Sequence, residues 1–265
     1  MKRILISVFL AAICLSSFGQ KQEEKKKFQI KGQPIVTVFA NYQAGIGNAN
    51  KESGFALDRA YLGYQFSLTE KLSGKVVFDM GSTKVSGSDL ERVAYIKNAM
   101  LSWKTGNFTL DFGLIGLEQF NVQEKFWGYR YIMKSFQDEY KFGSSADMGI
   151  LGKYKFTKWL SADITISNGE GYKKLNGDNK YRYAVGATIL PVKNLTIRAY
   201  YDLASKNIEG DETKDQQNLA FFAGYKHELF SIGAEYNQMY NTKFKEDNDQ
   251  SGFSVYSTIK LEDQF

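Results

Sequence analysis

The chain is 265 residues long and carries 34 Lys and Arg against 29 Asp and Glu, a formal net charge of +5 that is too slight for a nucleic-acid binder. A single Cys and a single His exclude a disulfide framework and a Cys/His metal cluster. With 20 Phe, 17 Tyr and 24 Gly but only 2 Pro, the composition departs from that of a soluble α/β enzyme, which normally shows longer apolar runs and more Leu and Ala.

The first element is a secretory leader. Lys2 and Arg3 precede an apolar run over residues 4–15, and small or polar residues ending Ser17-Phe18-Gly19 follow. The run is about 12 residues, whereas a membrane-spanning helix takes roughly 20. Cleavage is expected after Gly19, giving a signal peptide over 1–19. Cys14 follows Ile13, not the small residue a lipoprotein signal requires, so it is expected to leave with the leader. Thiol catalysis is then excluded. Residues 20–33 form a lysine-rich tail, with Lys21 and Lys25-Lys26-Lys27 expected to be solvated.

Residues 34–265 then break into segments of about ten residues with apolar side chains at every second position, the signature of barrel strands. Strands are predicted over 34–43, 56–67, 72–81, 92–104, 107–115, 147–156, 160–168, 181–190, 195–204, 217–228, 230–240 and 252–261. In the fifth, Phe108, Leu110, Phe112 and Leu114 share one face, and Thr109, Asp111 and Gly113 the other. In the seventh and eighth, Ile164 and Val185 are expected on lipid, with Asp163 and Arg182 on the lumen. A soluble sandwich has the same period, but its connections need not alternate in length. Here tight turns at 69–71, 105–106, 157–158, 191–194 and 228–229 alternate with long polar loops at 44–55, 82–91, 116–146, 169–180, 205–216 and 241–251. Phe66, Trp103, Phe108, Phe156, Trp159 and Phe230 gather beside the tight turns, as an interfacial girdle does. The predicted fold is all-β, a transmembrane antiparallel up-and-down β-barrel of twelve visible strands. The closing Leu261-Glu262-Asp263-Gln264-Phe265 resembles the tight-turn sequences upstream, so a C-terminal truncation is expected, although twelve strands, an even number, can also close a barrel.

Strand parity assigns Arg59, Lys75, Arg92, Lys153, Lys155, Arg182, Arg198, Lys226 and Lys260 to the lumen, against Asp79, Asp111, Asp163, Asp202, Glu228 and Glu235. Most of these charges are expected to pair across strands, leaving a mildly positive pore. The insertion 116–146 mixes aromatics with cations. A loop of that length is usually functional. Folded inward, it would present Lys125, Arg130 and Lys134 to passing solutes as a constriction; folded outward, it would contact lipopolysaccharide.

Three stretches carry a family resemblance. Leu57-Asp58-Arg59-Ala60-Tyr61-Leu62-Gly63, then Phe112-Gly113-Leu114-Ile115-Gly116-Leu117-Glu118 before the insertion, and Ser144-Ser145-Ala146-Asp147-Met148-Gly149 after it, resemble the phosphate-selective porin O and P family of Gram-negative outer membranes. The resemblance implies a passive, often anion-preferring, homotrimeric channel of sixteen strands with no cofactor, embedded in outer-membrane lipid and lipopolysaccharide and passing small hydrophilic solutes. Only five Arg remain after the leader, and the family's phosphate-selecting arginine series does not map onto them. Two other readings compete. A barrel hydrolase would need a general base, yet the only histidine, His227, lies beside a tight turn on the lipid side by parity. A non-conducting barrel with a filled lumen would bind partners through its loops.

Overall fold

The computed structural model describes residues 31–44, 53–82, 92–174, 177–206, 208 and 212–260. The expected leader, most of the lysine-rich tail and the final 261–265 stretch lie outside the described residues. The strands are β1 Lys31–Ala44, β2 Ser53–Ser67, β3 Leu72–Ser82, β4 Arg92–Thr105, β5 Phe108–Gly116, β6 Ala146–Lys155, β7 Leu160–Ser167, β8 Arg182–Ile189, β9 Leu195–Ala204, β10 Gln216–Lys226, β11 Phe230–Tyr240 and β12 Gln250–Ile259. They form one 12-stranded sheet in sequence order, every ladder antiparallel, the up-and-down arrangement expected from the alternating turns. Among the described residues no ladder joins β12 to β1. Two short helices, α1 Asn121–Trp127 and α2 Phe136–Glu139, lie in the insertion between β5 and β6.

The tight turns share a local device. Thr69 Oγ1 accepts hydrogen bonds from the amides of Lys71 and Leu72, at 3.2 and 2.9 Å, and Thr157 Oγ1 does the same for Trp159 and Leu160, at 3.2 and 3.0 Å. A threonine hydroxyl thus satisfies the amides that a sharp reversal leaves unpaired. Rings close the turn end of the sheet, with Trp103 and Phe108 6.2 Å apart and Tyr154 and Phe156 4.9 Å apart.

Burial is inverted relative to a soluble domain. Ile164, Val185 and Val255 are 62%, 51% and 64% exposed, while Arg198, Asp202 and Asn218 are at most 1% exposed. Apolar side chains outside and hydrogen-bonded polar ones inside are what a lipid solvent selects. The insertion touches Phe39 on β1, Lys153 on β6, Arg198 on β9, Phe222 on β10 and Tyr256 on β12. One segment can meet the inner faces of strands this far apart in the sheet only if the sheet curls around it.

Two assignments need correction. Arg92, expected on the lumen, shares the outer face with Ile96, because the β3–β4 register shifts between Val77 and Phe78 and leaves Lys97 without a partner. A bulge of this kind inverts parity on one side of itself. Leu114, expected outside with Phe112, is 1% exposed and packs on Ala146 and Tyr172. It follows Gly113, which has φ 113° and whose added Cβ would lie 2.5 Å from the Ala99 carbonyl oxygen, so the regular pleat is interrupted there although the ladder to β6 continues to Gly116.

Candidate pore lining and constriction

The lumenal wall is a series of acid–base pairs set by strand register. On β2, Arg59 forks onto Asp79 of β3, its Nε donating to Oδ1 at 2.7 Å and its Nη2 to Oδ2. Lys153 on β6 reaches Asp111 on the adjacent β5 at 2.9 Å. Arg182 on β8 holds Asp202 on β9 at 2.8 Å. Arg198 on β9 holds Asp163 on β7 through both guanidinium nitrogens, at 2.7 and 3.0 Å, reaching across β8 over Gly186. A charge taken out of water is tolerated only when it is paired and bonded in this way. Of the wall bases expected from parity, these four are therefore neutralised locally, whereas Lys75 and Lys155 have no ion pair among the described residues.

The insertion is docked on the inner face by several independent contacts. Arg198 Nη2 donates to the Glu118 carbonyl at 2.8 Å, and the Glu118 carboxylate meets Lys153 at 3.5 Å. Asn218 Nδ2 donates to the Phe142 carbonyl and Gln250 Nε2 to the Tyr140 carbonyl, both at 2.9 Å. Two inward glycines provide room for rings, since a Cβ on Gly224 would lie 2.6 Å from Phe126 and one on Gly252 would lie 2.7 Å from Phe136. Phe126 meets Phe222 edge to face at 5.2 Å. Gln119, Gln123 and Gln137 are fully buried at the contact, and Gln119 Nε2 donates to the Phe142 carbonyl at 2.8 Å.

The cations expected at the constriction are not equivalent. Arg130 is held by Asp138 at 2.9 Å and faces Glu124 at 3.6 Å, and Lys134 pairs with Glu139 at 3.3 Å. Lys125 has no ion pair among the described residues. Its charge, with those of Lys97 and Lys153, reaches the Lys75 ammonium, and Asp111 is the carboxylate opposing them. Sequence reading missed Lys97, because only the bulge turns it inward; there it lies over the Tyr61 ring at 4.4 Å.

A second loop closes on the same wall. Asp147 accepts hydrogen bonds from the amides of Met148, Gly169 and Gly171, at 2.8, 2.6 and 3.2 Å, and this holds the β7–β8 loop inward. Tyr172 from that loop donates to Asp79 at 2.7 Å and accepts from Arg59 at 2.8 Å. Burial, and then the bond to the Asp79 carboxylate, push the Tyr172 phenol above its ordinary range, so it stays a donor. Arg59, Arg130 and Lys173 line a cavity of about 480 Å³ toward the long loops, while Lys153, Lys155 and Arg198 line one of about 530 Å³ toward the turns. His227 stacks on Phe230 at 5.1 Å beside its turn. Among the described residues no three His, Asp or Glu side chains group as metal ligands.

No protein-family model matches the chain, and no curated protein is similar to it in sequence. In fold it is similar to a loop L8 deletion mutant of OmpT, an outer membrane protein of Vibrio cholerae, with TM-score 0.53 and 16% identity over 89% of this chain and 78% of that one. Intact, in-vitro folded OmpT of Vibrio cholerae gives TM-score 0.52 and 15% identity over 91% and 74% of the two chains. The Salmonella typhi OmpF structure gives TM-score 0.41 and 14% identity over 88% and 86%. The antiparallel up-and-down sheet with an apolar exterior is thus the fold of outer-membrane β-barrels.

Proposed function

We propose that the chain is a passive outer-membrane channel for small hydrophilic solutes, with a weak preference for anions set at the insertion and not by the wall as a whole. The observation that carries this reading is the grouping of Lys75, Lys97 and Lys125, none ion-paired among the described residues, beside Lys153, while Arg59, Arg182 and Arg198 on the wall are each matched by an acid. Wall pairs present little net field to an ion. Unpaired charges at a narrowing act on an ion at short range, whereas charges beyond a Debye length of about 8 Å are largely screened at physiological salt.

The resemblance to the phosphate-selective porin O and P family belongs to this proposal, as do phosphate among the anions, assembly as a homotrimer and contact with lipopolysaccharide. The docking of loop and insertion on Asp147 and Glu118, both within the resembling stretches, supports it. In this reading the leader directs export and no catalytic step is involved. The rival, a non-conducting barrel that binds partners, draws on the dense packing of Gln119, Gln137 and Phe142 between insertion and wall.

Bilayer recordings separate the two. Under a salt gradient, the purified chain should pass current with a reversal potential on the anion side, and Lys125→Gln should move it toward zero. A chain that inserts but passes no current would favour the rival. Current with a reversal potential unmoved by Lys125→Gln would leave a general diffusion pore.

A further inference from the structure

A separate cavity lies beneath α1, toward the turn ends of β9 to β12. It encloses about 610 Å³, within the range of small-molecule sites, about 300–1,000 Å³. One side is aromatic: Trp127 meets Tyr129 at 5.3 Å and Tyr256 at 5.1 Å, both edge to face, and Tyr129 meets Tyr131 at 6.0 Å. The Trp127 indole is fixed by its bond to the Met133 carbonyl at 2.9 Å. The other side is basic. Lys193, Lys226 and Lys260 line it with Glu228 as the only carboxylate among the lining residues, and none of the three lysines is ion-paired among the described residues. Lys226 instead lies 5.1 Å over the Phe126 ring. Tyr131 lines both this cavity and the one toward the long loops.

From this juxtaposition we infer that the cavity is a binding station for small organic anions that carry a flat ring. The inference rests on the channel reading and names the solute class it would favour. A bare inorganic anion would use the lysines and leave the rings without a partner. A neutral aromatic would do the reverse. A ring with one anionic group satisfies both sides at once, stacking on Trp127 or Tyr131 while its charge meets Lys226 and Lys260.

Trp127 is its own reporter. In a chain with Trp103→Phe and Trp159→Phe, both outer-face residues, folded in detergent micelles, its fluorescence is titrated with benzenesulfonate, methanesulfonate and benzyl alcohol. Benzenesulfonate should give a saturable change. Methanesulfonate, which lacks the ring, and benzyl alcohol, which lacks the charge, should bind about tenfold more weakly or not at all. Changing Lys226 and Lys260 together to Gln should weaken benzenesulfonate about tenfold, the sum of two exposed ion pairs. Equal binding of the ringless anion, an unchanged affinity in the Lys226→Gln, Lys260→Gln chain, or no saturable change would each overturn the inference. Should the single-tryptophan chain not fold, calorimetric titration of the unmodified chain gives the same comparison. Saturable binding without bilayer current would fail the channel reading alone; anion-selective current without binding would fail the station alone.

Discussion

At the residue scale, the partner of each charge matters more than its sign. Lys134 contributes little field while Glu139 holds it at 3.3 Å. Glu139→Gln should therefore free Lys134 and move the reversal potential further toward anions, opposite in sign to Lys125→Gln. An unchanged or cation-shifted value would place Lys134 away from the solute path. Arg198 has a different role, because it both neutralises Asp163 and holds the Glu118 carbonyl. Removing it in Arg198→Met leaves a buried carboxylate alone, a change that costs about 3–5 kcal/mol. Changing Asp163 to Asn in the same chain should restore part of that loss. Urea unfolding in lipid vesicles would measure both, and a double variant no more stable than Arg198→Met would show that the pair is not what Arg198 stabilises.

At the scale of the element, alternation decides which side chain meets which solvent, and a slip of one residue would reverse every face. The apolar Ile164 and Tyr154 stand on the outside of β7 and β6, and Lys155 lines the inner cavity toward the turns. The only cysteine is Cys14, inside the expected leader, so single cysteines can be placed in a silent background. In membranes, a charged, water-soluble thiol reagent should label Lys155→Cys and spare Ile164→Cys and Tyr154→Cys, while a lipid-soluble reagent should do the opposite. Labelling of Ile164→Cys by the charged reagent would show the register of β7 to be wrong. In β4 a bulge breaks this rule: Lys97 is the extra residue, and it turns Arg92 outward and itself inward.

At the scale of the whole molecule, the inverted burial has a direct consequence. A chain with Phe112, Ile164, Val185 and Val255 exposed around its girth is compatible with lipid and not with water. It should fractionate with the outer membrane and run as a β-rich, heat-modifiable band, migrating differently before and after boiling. Recovery as a soluble periplasmic protein would rule out the membrane reading and with it the channel. Because the insertion bonds to several strands at once, its docking and the curvature of the sheet are one cooperative feature, and the shape of the lumen depends on both.

By itself the sequence determined the class, the strands and most of their faces. These are local: side chains two residues apart share a face whatever the strand pairs with, and a threonine or glycine turn signal is read within a few residues. It also exposed the pairing chemistry, since Asp79, Asp111, Asp163 and Asp202 fell on the same face as Arg59, Lys153, Arg182 and Arg198. Only the tertiary structure decided which acid each base meets, that Lys97 joins the lumen, that Leu114 leaves the lipid face, and that Arg130 and Lys134 are tied up while Lys125 is not. Those outcomes depend on register, on a bulge and on a loop folding back across the sheet. Each is set by contacts between residues far apart in the chain, and the period of two carries no record of them.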